Sequence, residues 1–279
     1  MKRRKRARWL RRLLGLHLPV LGIVAFAIAP YVWTFITSIT PERDLNVEVR
    51  YFPRRPTAEN YARLFANIRF GRNVRDSLIV ASGTTVLGLS LTLTASYSFS
   101  RFRFRFRGPL LIQFLVINMF PVVLLLIPLF IIMRVLGLMD THAALIIAYS
   151  TFTIPFSTWM LTSFFRAIPT ELDESAQMDG LGRLGTMVRI VFPIAAPGIA
   201  ATAIYIFITA WNEFIYAAVF TTSRVRTIPV ALQNMVGEYQ ITWSLLTSGG
   251  VVAALPVVVM FFFVQKQLIS GMTAGAVKG

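Results

Sequence analysis

An all-α integral membrane protein with about six transmembrane helices is the fold class this sequence predicts, and three observations predict it. Of the 279 residues, 56% are hydrophobic and only 14% are charged, too few polar residues to cover a soluble domain of this size. The apolar residues come in long uninterrupted runs, near the roughly 20 residues that cross about 30 Å of hydrocarbon. The basic residues behind the net charge of +16 collect at the ends of those runs, as the positive-inside rule requires. They do not form one patch interleaved with aromatics, which argues against a nucleic-acid partner.

Residues 1–12 are a basic block (Lys2, Arg3, Arg4, Lys5, Arg6, Arg8, Arg11 and Arg12) and read as a cytoplasmic N-terminus. The apolar run from Leu13 to Ser38 follows. Ala25-Phe26-Ala27 has the look of a signal cleavage site, but the run is longer than the roughly 7–15 apolar residues of a signal peptide, so it reads as an uncleaved first span. The segment 39–76 is an outer loop. In it Pro56-Thr57 starts a short amphipathic helix, with Tyr61, Leu64, Phe65 and Ile68 at i, i+3, i+4, i+7 as its apolar stripe. This helix is expected to lie on the outer membrane surface.

The second span is expected over Ser77–Phe99. The turn Arg101-Phe102-Arg103-Phe104-Arg105-Phe106-Arg107 is expected to anchor its arginines to lipid phosphates and its phenylalanines at the interface. Spans three to six are expected at Pro109–Met133, Ala143–Phe165, Ile194–Phe220 and Leu245–Val264. Pro121, Pro128 and Pro155 inside spans free backbone carbonyls, pointing to a bundle around a path. Residues 13–268 thus form the six-span domain, with a cytoplasmic loop at 166–192, an outer loop at 221–244 and a cytoplasmic tail at 269–279. Both termini fall on the cytoplasmic side.

No catalytic constellation is present. There is no cysteine, and His17 and His142 are far apart in sequence, so no metal site is expected. No lysine sits in a G-x-x-x-x-G-K-[ST] phosphate loop. Any ATP is therefore expected to bind, with its Mg, on another chain, and no cofactor is expected in this one. Glu213 is the one clear charge inside a span, either a pathway residue or one that hydrogen-bonds within the bundle.

The most informative segment follows the fourth span. Pro169-Thr170 with acidic residues after it starts a helix, and Gly180 ends it. Glu174 and Met178 share a face of that helix, and Ser175 and Ala176 are small enough for close contact.

The stretch Glu174-Ser175-Ala176, then Asp179-Gly180, then Phe192-Pro193 and Pro197 resembles the EAA loop of ABC importer permeases, with Ser175 for the first Ala and Phe192 for Leu. Asn60-Tyr61, Ala210 to Phe214 and the C-terminal Gly271 to Gly279 are similar to the maltose/trehalose-type carbohydrate permeases of that family. The resemblance implies a type I, maltose-permease-like fold in a bacterial or archaeal cytoplasmic membrane. It implies a second homologous permease chain, a pair of ATP-binding subunits and an extracytoplasmic sugar-binding protein. The helix Glu174 to Gly180, with Pro193 and Pro197 behind it, would dock in an ATPase cleft. Gly271, Thr273, Gly275 and Lys278 would reach the ATPase, and Asn234, Glu238 and Tyr239 would contact the binding protein. Trp211, Asn212, Glu213, Tyr149, Tyr205 and Tyr216 are pathway candidates, aromatics being able to stack on sugar rings. The implied substrate is an α-linked disaccharide or oligosaccharide such as trehalose or maltose. A secondary, ion-coupled transporter is the alternative class, and a non-transporting scaffold is a third.

Overall fold

The computed structural model describes residues 13–45, 51–66, 68–237 and 241–276. The N-terminal basic block and Glu238, Tyr239 and Lys278 lie outside the described residues, as does the side chain of Thr273. Among the described residues there is no strand, only an isolated bridge between Val236 and Ile241. Among those residues four helices are long and apolar enough to cross a membrane, or up to six if each of two bent helix pairs is one span.

Chain contacts divide the protein into two compact units. The first, residues 1–70 and 234–254, is built on α1 (Leu18–Ser38), α2 (Glu59–Ala66) and the start of a long final helix. The C-terminal carbonyls of α1 need partners, and α2 supplies them. Asn60 Nδ2 donates to the carbonyls of Ser38 and Thr40 at 2.8 and 2.9 Å, and Tyr61 and Ser38 share a hydroxyl–hydroxyl bond of 2.7 Å. Ser248 also donates to the Ser38 carbonyl, while Glu42 accepts from the backbone N–H groups of Trp243 and Ser244. The face that α2 buries is therefore Asn60 and Leu64, with Tyr61 half-buried. Phe65 is exposed, and Ile68 lies beyond the helix end. The expected apolar stripe is corrected accordingly: a buried amide closing the end of a span outweighs a phenylalanine at the membrane border.

The second unit, residues 71–233 and 255–279, centres on two long helices, α3 (Phe70–Arg101) and α6 (His142–Arg166). Asp76 meets His142 at their starts, Ser96 donates to Thr158 O at 3.1 Å further along, and Arg101 donates to Phe165 O at their ends. The two helices thus run in the same direction. α6 is the hub: small or hydroxylated residues such as Ala144, Ala148, Ser157 and Thr158 are buried along it, permitting close helix approach. Its flank helices α4 (Arg107–Met119) and α8 (Ala196–Trp211) both pack on it. α3 begins seven residues before the expected span, because Asn73, Asp76 and Ser77 all find partners, described below, within its first turns.

Two expected continuous spans are broken. α4 and α5 (Leu126–Val135) are bent by 96° at Phe120–Pro121. Pro121 has no N–H to give the Ile117 carbonyl and crowds it, and Phe120 takes the extended conformation common before proline (φ −70°, ψ 135°). The fifth span breaks between α8 and α9 (Ile215–Phe220), where the Asn212 amide takes the Ile208 carbonyl at 3.0 Å. The segment Arg183–Ile194 meets α8 at an angle of 83°, at the site of Pro193 and Pro197. At Gly198 a Cβ would stand 2.4 Å from the Phe164 ring, so only glycine permits this approach of α8 to α6. The final helix, α10 (Trp243–Ala276), continues through the position where a tail from residue 269 was expected.

At the start of α3 and α6 a single loop is held by two aspartates. Asp140, at φ 59°, accepts from the backbone N–H groups of Thr222, Ser223, Arg224 and Val225 and from the Thr222 hydroxyl. Burial opposes ionisation of Asp140, but the N–H groups of Arg224, Thr222 and Ser223 more than offset it and hold its carboxyl well below the usual carboxylate range. Its contribution is complete above the ordinary aspartate pKa of about 3.9 and fades only as pH falls toward the lowered folded value. Asp76 has a fully buried side chain. It binds His142 Nε2 at 3.0 Å and the Arg226 N–H, with Arg72 and Arg75 beside it. Asn73 donates to Arg226 O, and Ser77 accepts from Ile228 N–H. His142 Nε2 thus shares a hydrogen bond with the buried Asp76 carboxylate.

Asp140→Ala should free the loop at Thr222 to Val225. Tryptic cleavage after Arg224 and Arg226 in intact membranes should rise by on the order of tenfold, the loss expected from one charge-assisted hydrogen bond. Unchanged cleavage would show that Asp76 suffices.

Candidate functional site

The helix expected from Pro169 to Gly180 is present as α7 (Glu171–Met178). Three acidic residues lie in its first turn, Glu171, Asp173 and Glu174, where they suit the positive end of the helix dipole. Gly180 at φ 88° closes it, a conformation that residues with a Cβ avoid. The Leu181 N–H bonds back to Ala176 O at 3.0 Å. The helix is two-faced. Asp173 and Ala176 are buried, and Glu171, Leu172, Glu174, Ser175, Met178 and Asp179 are exposed. Met178 is 89% exposed, an unusual setting for a large apolar side chain beside carboxylates. Glu174 and Met178 do share the outward face, as their spacing requires.

The buried face rests on an ionic cluster that the sequence did not disclose. Arg101 Nε lies 2.8 Å from Asp173 Oδ2, with the two side chains 7% and 8% exposed. The Nε–H is not aligned for a hydrogen bond, so the contact is an ion pair held by charge. Tyr97 donates to Asp173 Oδ1 at 3.2 Å, and Arg101 Nη1 donates to Phe165 O at 3.1 Å. Three elements, α3, α6 and α7, therefore meet at two charges. Around them packs an apolar core of Tyr97, Leu161, Phe165, Ile168, Met187, Val191 and Ala195, with Phe102 and Phe192 against it. Arg183 lies over the Phe102 ring at 5.1 Å. Arg101 is thus corrected from a lipid anchor to an interior cation, while Arg103 and Arg105 stay exposed. The available signal was weak: an acid inside the α7 motif and an arginine ending an apolar run.

The other expected site residues are placed as follows. Pro193 is exposed and Pro197 half-buried, each in the first turn of its helix. Glu213 caps α9, accepting from the N–H groups of Tyr216 at 3.0 Å and Ala217 at 3.2 Å. The buried Tyr149 hydroxyl faces this carboxylate without a well-aligned hydrogen bond. Tyr216 is buried and donates to Val122 O at 2.8 Å, bracing the broken third span. Phe152 stands between Tyr149 and Tyr216 at 5.8 and 5.7 Å. Tyr149, Tyr216 and Glu213 thus come together. Tyr205 instead packs on Phe156 at 4.9 Å, and Trp211 stacks on Phe207. The Asn212 side chain is exposed apart from its bond to α8, and Asn234 is exposed.

An apolar bundle with two broken spans, and an exposed acidic helix locked to its end, marks a multi-pass membrane protein. Residues 84–273 match the model of the family described as the binding-protein-dependent transport system inner membrane component. The trehalose/maltose transport permease of Thermococcus litoralis is 35% identical over 93% of this chain and 96% of its own. The sulfoquinovosyl glycerol transport permease of Agrobacterium fabrum is 35% identical, covering 90% and 88%. The trehalose transport permease of Mycobacterium tuberculosis is 34% identical, covering 92% and 95%. In fold, the chain is similar to a chain of a bacterial ABC transporter for the polysaccharide alginate, with a TM-score of 0.78, 22% identity and coverage of 92% and 96%. The chain belongs to this family, as a carbohydrate-type ABC importer permease, and is a transport subunit of the inner membrane rather than an enzyme.

Removing one member of the buried pair leaves the other charge unpaired, so Asp173→Asn or Arg101→Met alone should cost about 3–5 kcal/mol. The double variant Arg101→Met, Asp173→Leu should recover most of that. Thermal unfolding in detergent, followed by the fraction remaining soluble, checks both. Equal stability of the single variants and the wild type would show that the pair carries no weight.

Proposed function

We propose that this chain forms a sugar path with a second, homologous permease chain, and that α7 couples it to a pair of ATP-binding subunits on the cytoplasmic side. The observation that carries the proposal is α7 itself: its outward face is free, and its inward face is fixed to two long helices by Arg101 and Asp173. A push on Glu174, Ser175 or Met178 reaches α3 and α6 as a rigid displacement, because a buried ion pair and a packed core do not deform gradually. ATP, bound with Mg by the partner ATPase, and a loaded binding protein at the opposite face would both favour one state of the bundle, which is all that coupling requires. With α7 in the cytoplasm, residues 103–107, at the same end of α3 and α6, lie on that side, and we also assign Gly271, Thr273 and Gly275 near the end of α10 to contact with the ATPase. The loop held by Asp76 and Asp140 then faces outward, and we assign it to the sugar-binding protein; Asn234, in the other unit, is proposed as a separate contact with the same partner.

For the substrate we propose an α-linked disaccharide or oligosaccharide of the trehalose and maltose class, supported by two of the relatives above. The ion-coupled alternative loses its main support, since both oxygens of Glu213 are engaged in capping α9.

Glu174→Lys and Gly180→Pro should each abolish uptake of labelled trehalose or maltose while membrane insertion stays intact. The tagged wild-type chain should bring down an ATPase with a phosphate loop and a second multi-span chain. Normal uptake by either variant, or recovery of this chain alone in a mild detergent, would overturn the coupling role.

A further inference from the structure

The arginine-rich turn after α3 is not spent on protein contacts. Arg101 turns inward to Asp173, but Arg103, Arg105 and Arg107 do not. Among the described residues, no carboxylate pairs with any of these three or with Arg166 at the end of α6. Burial, and then the like charges of Arg166 and Arg103, act against the charge on Arg107. Arg105 rests over the Phe106 ring at 5.6 Å. Arg107 Nε is buried with no hydrogen-bond partner, and its Nη2 makes only a long bond of 3.4 Å to Ser100 O. A gathering of cations with a buried, unused donor calls for an anion.

Directly beside this cluster, α4 and α6 enclose a cleft of about 240 Å³ lined by Gly108, Leu111, Leu115, Trp159, Ser163 and Arg166. Gly108 adds no side chain at its mouth, and nothing in the chain would meet a Cβ there. Leu111, Ile112, Leu115 and Trp159 give the cleft an apolar wall, and Thr162, Ser163 and Arg166 give it a polar one. It opens among Ile112 at 63% and Trp159 at 39% exposure, side chains of the kind a membrane protein presents to lipid.

We propose that this cleft binds an anionic phospholipid, with acyl chain against Leu111, Leu115 and Trp159 and phosphate on Arg107 and Arg166, assisted by Arg103 and Arg105. Guanidinium groups bind phosphate oxygens in pairs, and basic pockets between spanning helices suit anionic headgroups. A polar partner surface would leave the apolar wall of the cleft uncovered; a lipid fills both parts. Placing the site in the cytoplasmic leaflet rests on the orientation proposed above, but the site itself does not.

The test uses the tagged chain purified with its partners, stripped of lipid and offered phosphatidylglycerol or phosphatidylcholine, with native mass spectrometry as readout. The wild type should keep one phosphatidylglycerol under activation that removes phosphatidylcholine. Retention should fall about fivefold for each arginine lost, so Arg107→Gln with Arg166→Gln should nearly abolish it, whereas Arg54→Gln with Arg55→Gln, at two exposed arginines outside the cluster, should leave phosphatidylglycerol retention unchanged. Arg103→Gln, on an exposed turn, gives a smaller loss and decides the matter if the double variant fails to fold. Equal retention of the two lipids by the wild type would overturn the site. So would unchanged phosphatidylglycerol retention in the double variant, including the case in which that variant loses a partner chain instead, which would mark the arginines as a protein interface. The readout needs no sugar uptake, so failure of the Glu174 and Gly180 variants to block transport would leave it standing.

Discussion

The buried contact between Arg101 and Asp173 is the interaction on which the working parts of this protein depend. Two charges removed from water are costly, and a pair so placed survives only because each partner has further polar contacts, here Tyr97 and the Phe165 carbonyl. The arrangement does more than hold α7 in place. The apolar core beneath α7 would tolerate small slippage, as hydrophobic contacts are non-directional, whereas the ion pair fixes one register between α7, α3 and α6. The exposed face of α7 can then vary in its contacts without altering how it is mounted.

The same logic recurs at the other end of α3 and α6. Asp76 and Asp140 hold the loop from Thr222 to Arg226 through its backbone N–H groups, leaving Thr222, Ser223, Arg224 and Arg226 exposed. One pair of helices thus carries a rigidly mounted segment at each end. Between them the bundle is interrupted at Pro121 and at Asn212 to Phe214, where Tyr216 and Glu213 supply the missing hydrogen bonds. Broken helices are tolerated at membrane depth only where protein or water satisfies the backbone, and both breaks meet that condition internally.

Much of this was legible in the sequence. Apolar run lengths placed α1, α6 and the start of α10, and Pro169, Thr170 and Gly180 marked α7 to within two residues at each end, because those signals are local. Long-range pairings were not legible. Arg101 lies in a run of alternating arginines and phenylalanines, and nothing local separates it from Arg103, which stays exposed. Asp76 was placed in an outer loop, yet it sits within α3, hydrogen-bonded to His142 of α6 and to the Arg226 N–H. Glu213 was open to two readings because a carboxylate three residues before a helix N–H looks the same in sequence whether it caps a helix or lines a path. Pro121 signalled a kink, but not a bend near a right angle, which depends on what Tyr216 offers to Val122.

The most direct test of rigid mounting is a distance measurement. Spin labels at Thr94 on α3 and Met178 on α7, both exposed, would be followed by double electron–electron resonance in the assembled complex, with and without ATP. The account predicts one narrow distance distribution that does not move between the two conditions. A shift or a second distance on adding ATP would show that α7 moves independently of α3, and the Arg101–Asp173 pair would then be a static packing feature rather than the joint through which force passes.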